Sequence, residues 1–295
     1  MLDSVRLAEK YMGMVAVTGW HDRLYLAWVG SLGSKRWSGY KLALAYSPDG
    51  REIIGKQRLN QRSYGMMAGG GESGGSGITA RPALAVAGEQ LYLAWTGTDH
   101  HINILADPQS PLGTPVRLEE ARSKTTPALC SHQGSLVLGW RGTDARINIL
   151  TGPEGPHGAP VRLEEARSVD GYGPALCSHQ GSLVLAWTGH DGHINILTGP
   201  EGPHGAPVRL EEAWSPYMPA LCSHQGSLVL AWTGHDGHIN ILTGPESPHG
   251  APVRLEEAGS KRGTPALCSH QGSLVLAWGG DDGHLNLARL NNWGA

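Results

Sequence analysis

Apolar positions along this chain come in short runs separated by small polar clusters. Residues 174–213 show the pattern: PALCSH, SLVLAW, HINIL and APVRLEEA, divided by QG, TGHDG and TGPEGPHG. Runs of this length between Gly, Pro, Asn and Asp clusters predict β-strands. Asp191-Gly192 marks a tight hairpin turn between the second and third runs. SLVLAW is apolar on both alternating faces, which predicts a strand covered on both sides. The fourth run carries Pro and charges, the usual protection of an exposed sheet edge.

The same four runs recur along the chain. PALCSHQGSLVLAW begins at Pro127 (ending LGW), Pro174, Pro219 and Pro265, at spacings of 47, 45 and 46 residues. Divergent copies begin at Pro82 and Val15, and the copies are marked by Trp28, Trp95, Trp140, Trp187, Trp232 and Trp278. The first interval is longer because it contains residues 31–39 and a glycine-rich insertion at 66–77. Four antiparallel strands per copy, at about 45 residues, predict a β-propeller blade. Six copies predict an all-β, six-bladed β-propeller of four-stranded antiparallel blades.

The last copy stops after its third strand, whereas SVRLAEK (4–10) matches PVRLEEA (207–213). An N-terminal strand is therefore expected to complete the last blade and close the ring. The single domain then divides into blade 1 (about 11–63), blade 2 (80–123), blade 3 (125–168), blade 4 (172–215), blade 5 (217–260) and blade 6 (263–290 plus 4–10).

Composition narrows the function. With 43 Gly and 19 Pro in 295 residues, long helices are excluded. A hydrophobic share of 40% and a net charge of -3 exclude a disordered chain. That charge gives no electrostatic case for nucleic acid or an anionic membrane. No run approaches the length of a membrane span, so no membrane insertion is expected. MLDSVRLAEK lacks a basic region followed by an apolar one, so no leader is expected. A cytoplasmic or non-classically exported protein follows from that reading.

Cys130, Cys177, Cys222 and Cys268 occupy one place in the repeat, where Thr18 and Ala85 stand in the first two copies. A position that accepts Thr and Ala fills a small buried space. Free thiols are expected, since equivalent sites in adjacent blades are too far apart for a bridge.

Candidate ligand contacts concentrate in the turns. The links from the fourth strand to the next blade vary, and they share a face with the second-to-third-strand hairpins. Trp37, Tyr172, Trp214 and Tyr217 lie in these variable segments. An aromatic plane there stacks on the apolar face of a sugar or packs locally. Asp99, Asp144, Asp191, Asp236 and Asp282 recur in the hairpins. Each accepts a sugar hydroxyl or bonds its own turn. His193 and His238 lie beside them, in His-x-x-His pairs with His190 and His235. A third metal ligand is not evident, so neither a metal nor another cofactor is expected. His132, His179, His224 and His270 are expected as solvated turn residues of the opposite face. The strand-two tryptophans are expected between blades, and Asn103, Asn148, Asn195, Asn240 and Asn286 on nearby backbone. The Arg-Leu-Glu-Glu runs read as a solvated edge.

PALAVAGEQLYLAWTGTDHHINIL and SLVLAWTGHDGHINIL resemble bacterial propeller repeats of the sialidase-like, Asp-box superfamily, and also β-propeller lectins. Ser47-Pro48-Asp49-Gly50 matches the start of an Asp-box; elsewhere that turn reads GPEGPHG or GPESPHG. A sialidase activity would imply an arginine triad, a Tyr/Glu nucleophile pair and an acid Asp. Arg117, Arg162, Arg209 and Arg254 instead recur on edge strands. The resemblance thus implies a non-catalytic, multivalent, lectin-like protein with glycan partners. A scaffold that binds a protein partner is the alternative, and a sialidase-type hydrolase the third reading.

Overall fold

The computed structural model describes residues 3–10, 14–30, 41–62, 81–110, 113–155, 158–200, 205–245, 251–260 and 263–290. These residues form 24 strands and no helix. β1 is Asp3–Lys10. Blade 1 contains β2 (Val15–Trp20), β3 (Arg23–Gly30), β4 (Lys41–Ser47) and β5 (Ile54–Arg62). Blade 2 contains β6 (Ala83–Ala87), β7 (Gln90–Thr96), β8 (His101–Ala106) and β9 (Val116–Arg122). Blade 3 contains β10 (Ala128–His132), β11 (Ser135–Arg141), β12 (Arg146–Thr151) and β13 (Val161–Arg167). Blade 4 contains β14 (Ala175–His179), β15 (Ser182–Thr188), β16 (His193–Thr198) and β17 (Val208–Trp214). Blade 5 contains β18 (Ala220–His224), β19 (Ser227–Thr233), β20 (His238–Thr243) and β21 (Val253–Gly259).

The sixth sheet has the order β1-β24-β23-β22, where β22 is Ala266–His270, β23 Ser273–Gly279 and β24 His284–Leu290. The N-terminal strand therefore completes the blade begun at the other end of the chain. Val5 pairs with Leu287 and Arg6 with Asn286. The protein is a six-bladed β-propeller.

The six main hydrophobic cores of the described residues each lie between two blades. Trp187 of blade 4 is buried with Val137, Ile147 and Leu163 of blade 3. Trp232 of blade 5 is buried among Val184, Ile194 and Leu210 of blade 4. At the closing joint Trp28 of blade 1 shares a core with Leu7, Val275 and Leu287 of blade 6. This explains the unbroken apolar second strand: one face meets the preceding blade and the other the next. The strand-three asparagines donate to the carbonyl two residues back, Asn195 to His193 at 3.1 Å for example, which satisfies an amide in an apolar strand. All four cysteines are free.

One expectation is corrected. His132, His179, His224 and His270 are buried, not solvated. Their imidazoles cross to the next blade: His132 Nδ1 bonds Ser178 Oγ, His179 bonds Ser223, and His224 bonds Ser269, at 2.8–2.9 Å. At the closing joint Gly19 takes the serine's place, because a side chain there would collide with the His270 ring. The first three histidines are hydrogen-bonded inter-blade fasteners, and His270 packs against Gly19 at the closing joint.

Burial lowers the pKa of His224; at His270 burial is again the main cause, with the Arg289 charge adding to it. The unfolded chain then binds more protons than the folded one between the folded value and about 6.5. Stability is therefore full above that range and declines as pH falls through it, levelling below the folded values. A melting-temperature profile from pH 8 to pH 5 should show this fall, and His224→Gln should flatten it. A profile unchanged by the substitution would refute the assignment.

Candidate functional site

The hairpins and the links share one face. The link serines donate their amides to hairpin carbonyls of their own blade, Ser123 to His100, Ser215 to Gly192 and Ser260 to Gly237, at 2.7–2.9 Å. Ser123 and Ser215 also donate through Oγ to Arg141 and Thr233 of the following blade. The links are thus straps across the joints as well as surface.

On this face a polar group repeats around the rim. In blade 4, Asp191 Oδ1 accepts the His193 amide at 3.1 Å, closing the turn. Its other oxygen accepts Arg209 Nε at 2.8 Å from the outermost strand, and Arg209 Nη2 donates to His193 Nδ1 at 2.9 Å. Arg209 also pairs with Glu211. An imidazole that accepts at Nδ1 is the neutral tautomer with its proton on Nε2. The blade 4 group therefore offers carboxylate acceptors, guanidinium donors and an imidazole N–H within a few ångströms.

The group recurs as Asp99, His101, Arg117 and Glu119 in blade 2, and as Asp236, His238, Arg254 and Glu256 in blade 5. Blade 3 has Asp144, Arg162 and Glu164, with Arg146 in the histidine's place. In blade 6 Asp282 and His284 receive Arg6 from the N-terminal strand, where Ala8 stands at the glutamate position.

Partial burial alone would raise the carboxyls of Asp99, Asp144 and Asp191, but hydrogen bonds from arginine and from the turn amide outweigh it. At Asp236 and Asp282 the turn amide is the largest influence. All five carboxyls are held below their ordinary value. They remain ionised acceptors at neutral pH and are poor proton donors.

Sequence reasoning placed the five aspartates, His193 and His238 in this region, and the structure brings them together blade by blade. It missed the arginines and glutamates as partners, assigning them to a solvated edge. A signal existed: aspartate and arginine lie 18 residues apart in blades 2 to 5.

The predicted aromatics separate into different surroundings. Trp214 lies on the rim, 36% exposed. Its Nε1 donates to Asp191 O at 3.1 Å, and its ring meets His235 of blade 5 edge-on at 5.1 Å. Gly192 leaves room for the indole, which any side chain there would meet. In the neighbouring blades Arg122, Arg167 and Gly259 hold the position that Trp214 holds. Tyr172 is buried against Tyr217, Met14 and Met218, with the two tyrosine rings 5.7 Å apart. These two tyrosines form a packed cluster away from the Asp–Arg groups. Trp37 lies outside the described residues, as does the 66–77 insertion.

Among the described residues, no group of three or more His, Cys, Asp or Glu is placed to hold a metal ion. Nor is any helix there long and apolar enough to cross a membrane.

Fold and rim together define a six-bladed propeller carrying one polar constellation in the five blades whose second hairpin is described. No protein-family model matches the chain, and no curated protein matches its sequence. Solved structures share the fold. The SapL1 lectin, in complex with alpha methyl fucoside, is 10% identical, with a TM-score of 0.60 over 92% of this chain and 88% of its own. The Aleuria aurantia lectin, in complex with Fucalpha1-6GlcNAc, is 10% identical, with a TM-score of 0.62 over 97% and 94%. The Trypanosoma rangeli sialidase, in complex with the inhibitor DANA, is 10% identical, with a TM-score of 0.61; it covers 98% of this chain but 58% of the enzyme.

Proposed function

We propose that this propeller is a multivalent, non-catalytic carbohydrate-binding protein whose sites are the rim groups of the hairpin face. The observation that carries this reading is the recurrence of Asp, Arg and usually His and Glu at one place in five blades. Sugar hydroxyls need both acceptors and donors at short range, and each group supplies both. Trp214 adds an aromatic surface beside the blade 4 group, the arrangement that binds the apolar face of a pyranose. Several weak copies on one rigid ring gain avidity on a glycan-bearing surface. The lectin folds among the similar structures agree with this reading. Five near-equal groups with ionised carboxylates also suit binding better than turnover, which needs one site with a proton donor.

A protein-binding scaffold is the second reading. It draws on Val116, Val161, Val208 and Val253, which are exposed on successive outermost strands. A glycan array separates the two. A defined set of glycans should bind, and Trp214→Ala should weaken the best of them by roughly 5- to 30-fold, about 1–2 kcal/mol. The substitution should leave the melting temperature nearly unchanged. No binding on the array, or unchanged affinity after both Trp214→Ala and Asp191→Asn, would defeat the carbohydrate reading.

A further inference from the structure

The first strand of every blade is hydrogen-bonded on one side only. Six inner sheet edges therefore surround the ring axis. They enclose a channel of about 80 Å³, lined by Ala16, Pro82, Pro127, Ala175, Ala220 and Ala266, among others. Its described lining is apolar in side chains with one exception, Arg81. Arg81 precedes β6, where the other copies place Met14, Thr126, Gly173, Met218 and Thr264. A cation at this position is specific to blade 2.

Arg81 crosses the channel mouth. Its amide donates to Thr126 Oγ1 at 2.9 Å in blade 3. Its Nη1 donates to Val15 O at 3.3 Å in blade 1 and to Pro265 O at 3.1 Å in blade 6. Nε and Nη2 make no hydrogen bond to a described residue, and no described carboxylate pairs with the guanidinium. The residue is half-buried, and that burial pushes its pKa down to about 10, so it stays charged at neutral pH. A second observation lies beside the carbonyl that it reaches. Thr264, next to Pro265, is buried, and its Oγ1 has no hydrogen-bond partner among the described residues.

We infer that the central channel holds a small monovalent anion, of halide or formate size, against the Arg81 guanidinium. A half-buried cation with no carboxylate among the described residues favours a negative charge facing it. Charge-assisted N–H donors are the groups that hold such an ion. The cavity is several times the roughly 10–15 Å³ that one water needs. The site is distinct from the rim groups, so it neither requires nor supplies the carbohydrate reading. Its consequence is structural: an ion held there steadies one residue that links blades 1, 2, 3 and 6, next to the ring's closing joint.

The test is melting temperature at constant ionic strength, with sodium gluconate replaced stepwise by sodium bromide in one series and sodium formate in another. Gluconate is far larger than either ion. A saturable rise with bromide identifies a halide site, and one with formate a carboxylate site; either supports the inference. Arg81→Met keeps the stem and the backbone bond to Thr126, and should abolish the rise. Bromide-soaked crystals of the unaltered protein should show an anomalous peak beside Arg81, a readout independent of the variant's folding. No saturable rise in either series, an equal rise in Arg81→Met, or no anomalous peak in the channel after a bromide response would overturn it.

Discussion

A chain lacking residues 1–10 should lose the closed ring. Its melting temperature should fall by at least about 10 °C, or the protein should be recovered only as aggregate. The deleted strand supplies the whole outer edge of blade 6, pairing with β24 along its length. It also supplies Leu7, only 2% exposed in the core that joins blades 6 and 1. Burying a leucine contributes about 1.5–3 kcal/mol. The Arg6–Asp282 pair, 2.5 Å apart, would go as well, although an exposed ion pair adds little. The larger effect is the uncovered edge of β24, an open template for another chain. Thermal melting and size-exclusion chromatography measure both outcomes. A truncated chain that melts and elutes like the full one would refute closure by β1.

Trp187→Ala should destabilise the ring more than any substitution on its rim. The indole is 2% exposed and bridges blades 3 and 4. Truncating a buried Trp costs about 3–5 kcal/mol, because the neighbours collapse only partly into the space. For a domain of this size that corresponds to a fall on the order of 10 °C. Trp214→Ala provides the contrast, since its indole is partly exposed and rests on a turn. Denaturant melts of the two variants should differ clearly in midpoint and hardly in slope. Equal midpoints would mean that Trp187 does not anchor the joint between blades 3 and 4.

The fold was legible in the sequence because each blade is a local unit. Its four strands follow one another, and hairpin chemistry such as Asp191-Gly192 fixes their order. Closure was legible for the same reason, since SVRLAEK carries the strand-four pattern without a blade of its own. What lay between blades was harder to see. His132, His179 and His224 sit in turns, and turns are usually solvated. Their burial follows from Ser178, Ser223 and Ser269 in the next blade, some 45 residues away, and a repeat period does not say which turns touch.

The rim was legible in part. Turn chemistry accounts for Asp191 through its first oxygen, which closes the hairpin. Its second oxygen reaches a strand two connections later, a pairing that only the 18-residue interval betrays. Tyr172 illustrates the opposite error. Its place in a variable link suggests exposure, yet the ring is buried with Met14 and Met218, which lie just before the first strands of blades 1 and 5.

The composite blade also sets the order in which the molecule assembles. β1 leaves the ribosome before any other described strand, but its partner β24 is among the last. Every other outermost strand follows its neighbour after six to nine residues of sequence, whereas this pairing spans nearly the whole chain. Contacts so distant in sequence form slowly, and an unpaired edge is exposed meanwhile. Two half-finished rings in close proximity offer each other what each one lacks. Exchange of β1 between chains would complete both blades with native pairing and register. Refolding at high protein concentration should therefore favour strand-swapped dimers, and refolding at high dilution the closed monomeric ring.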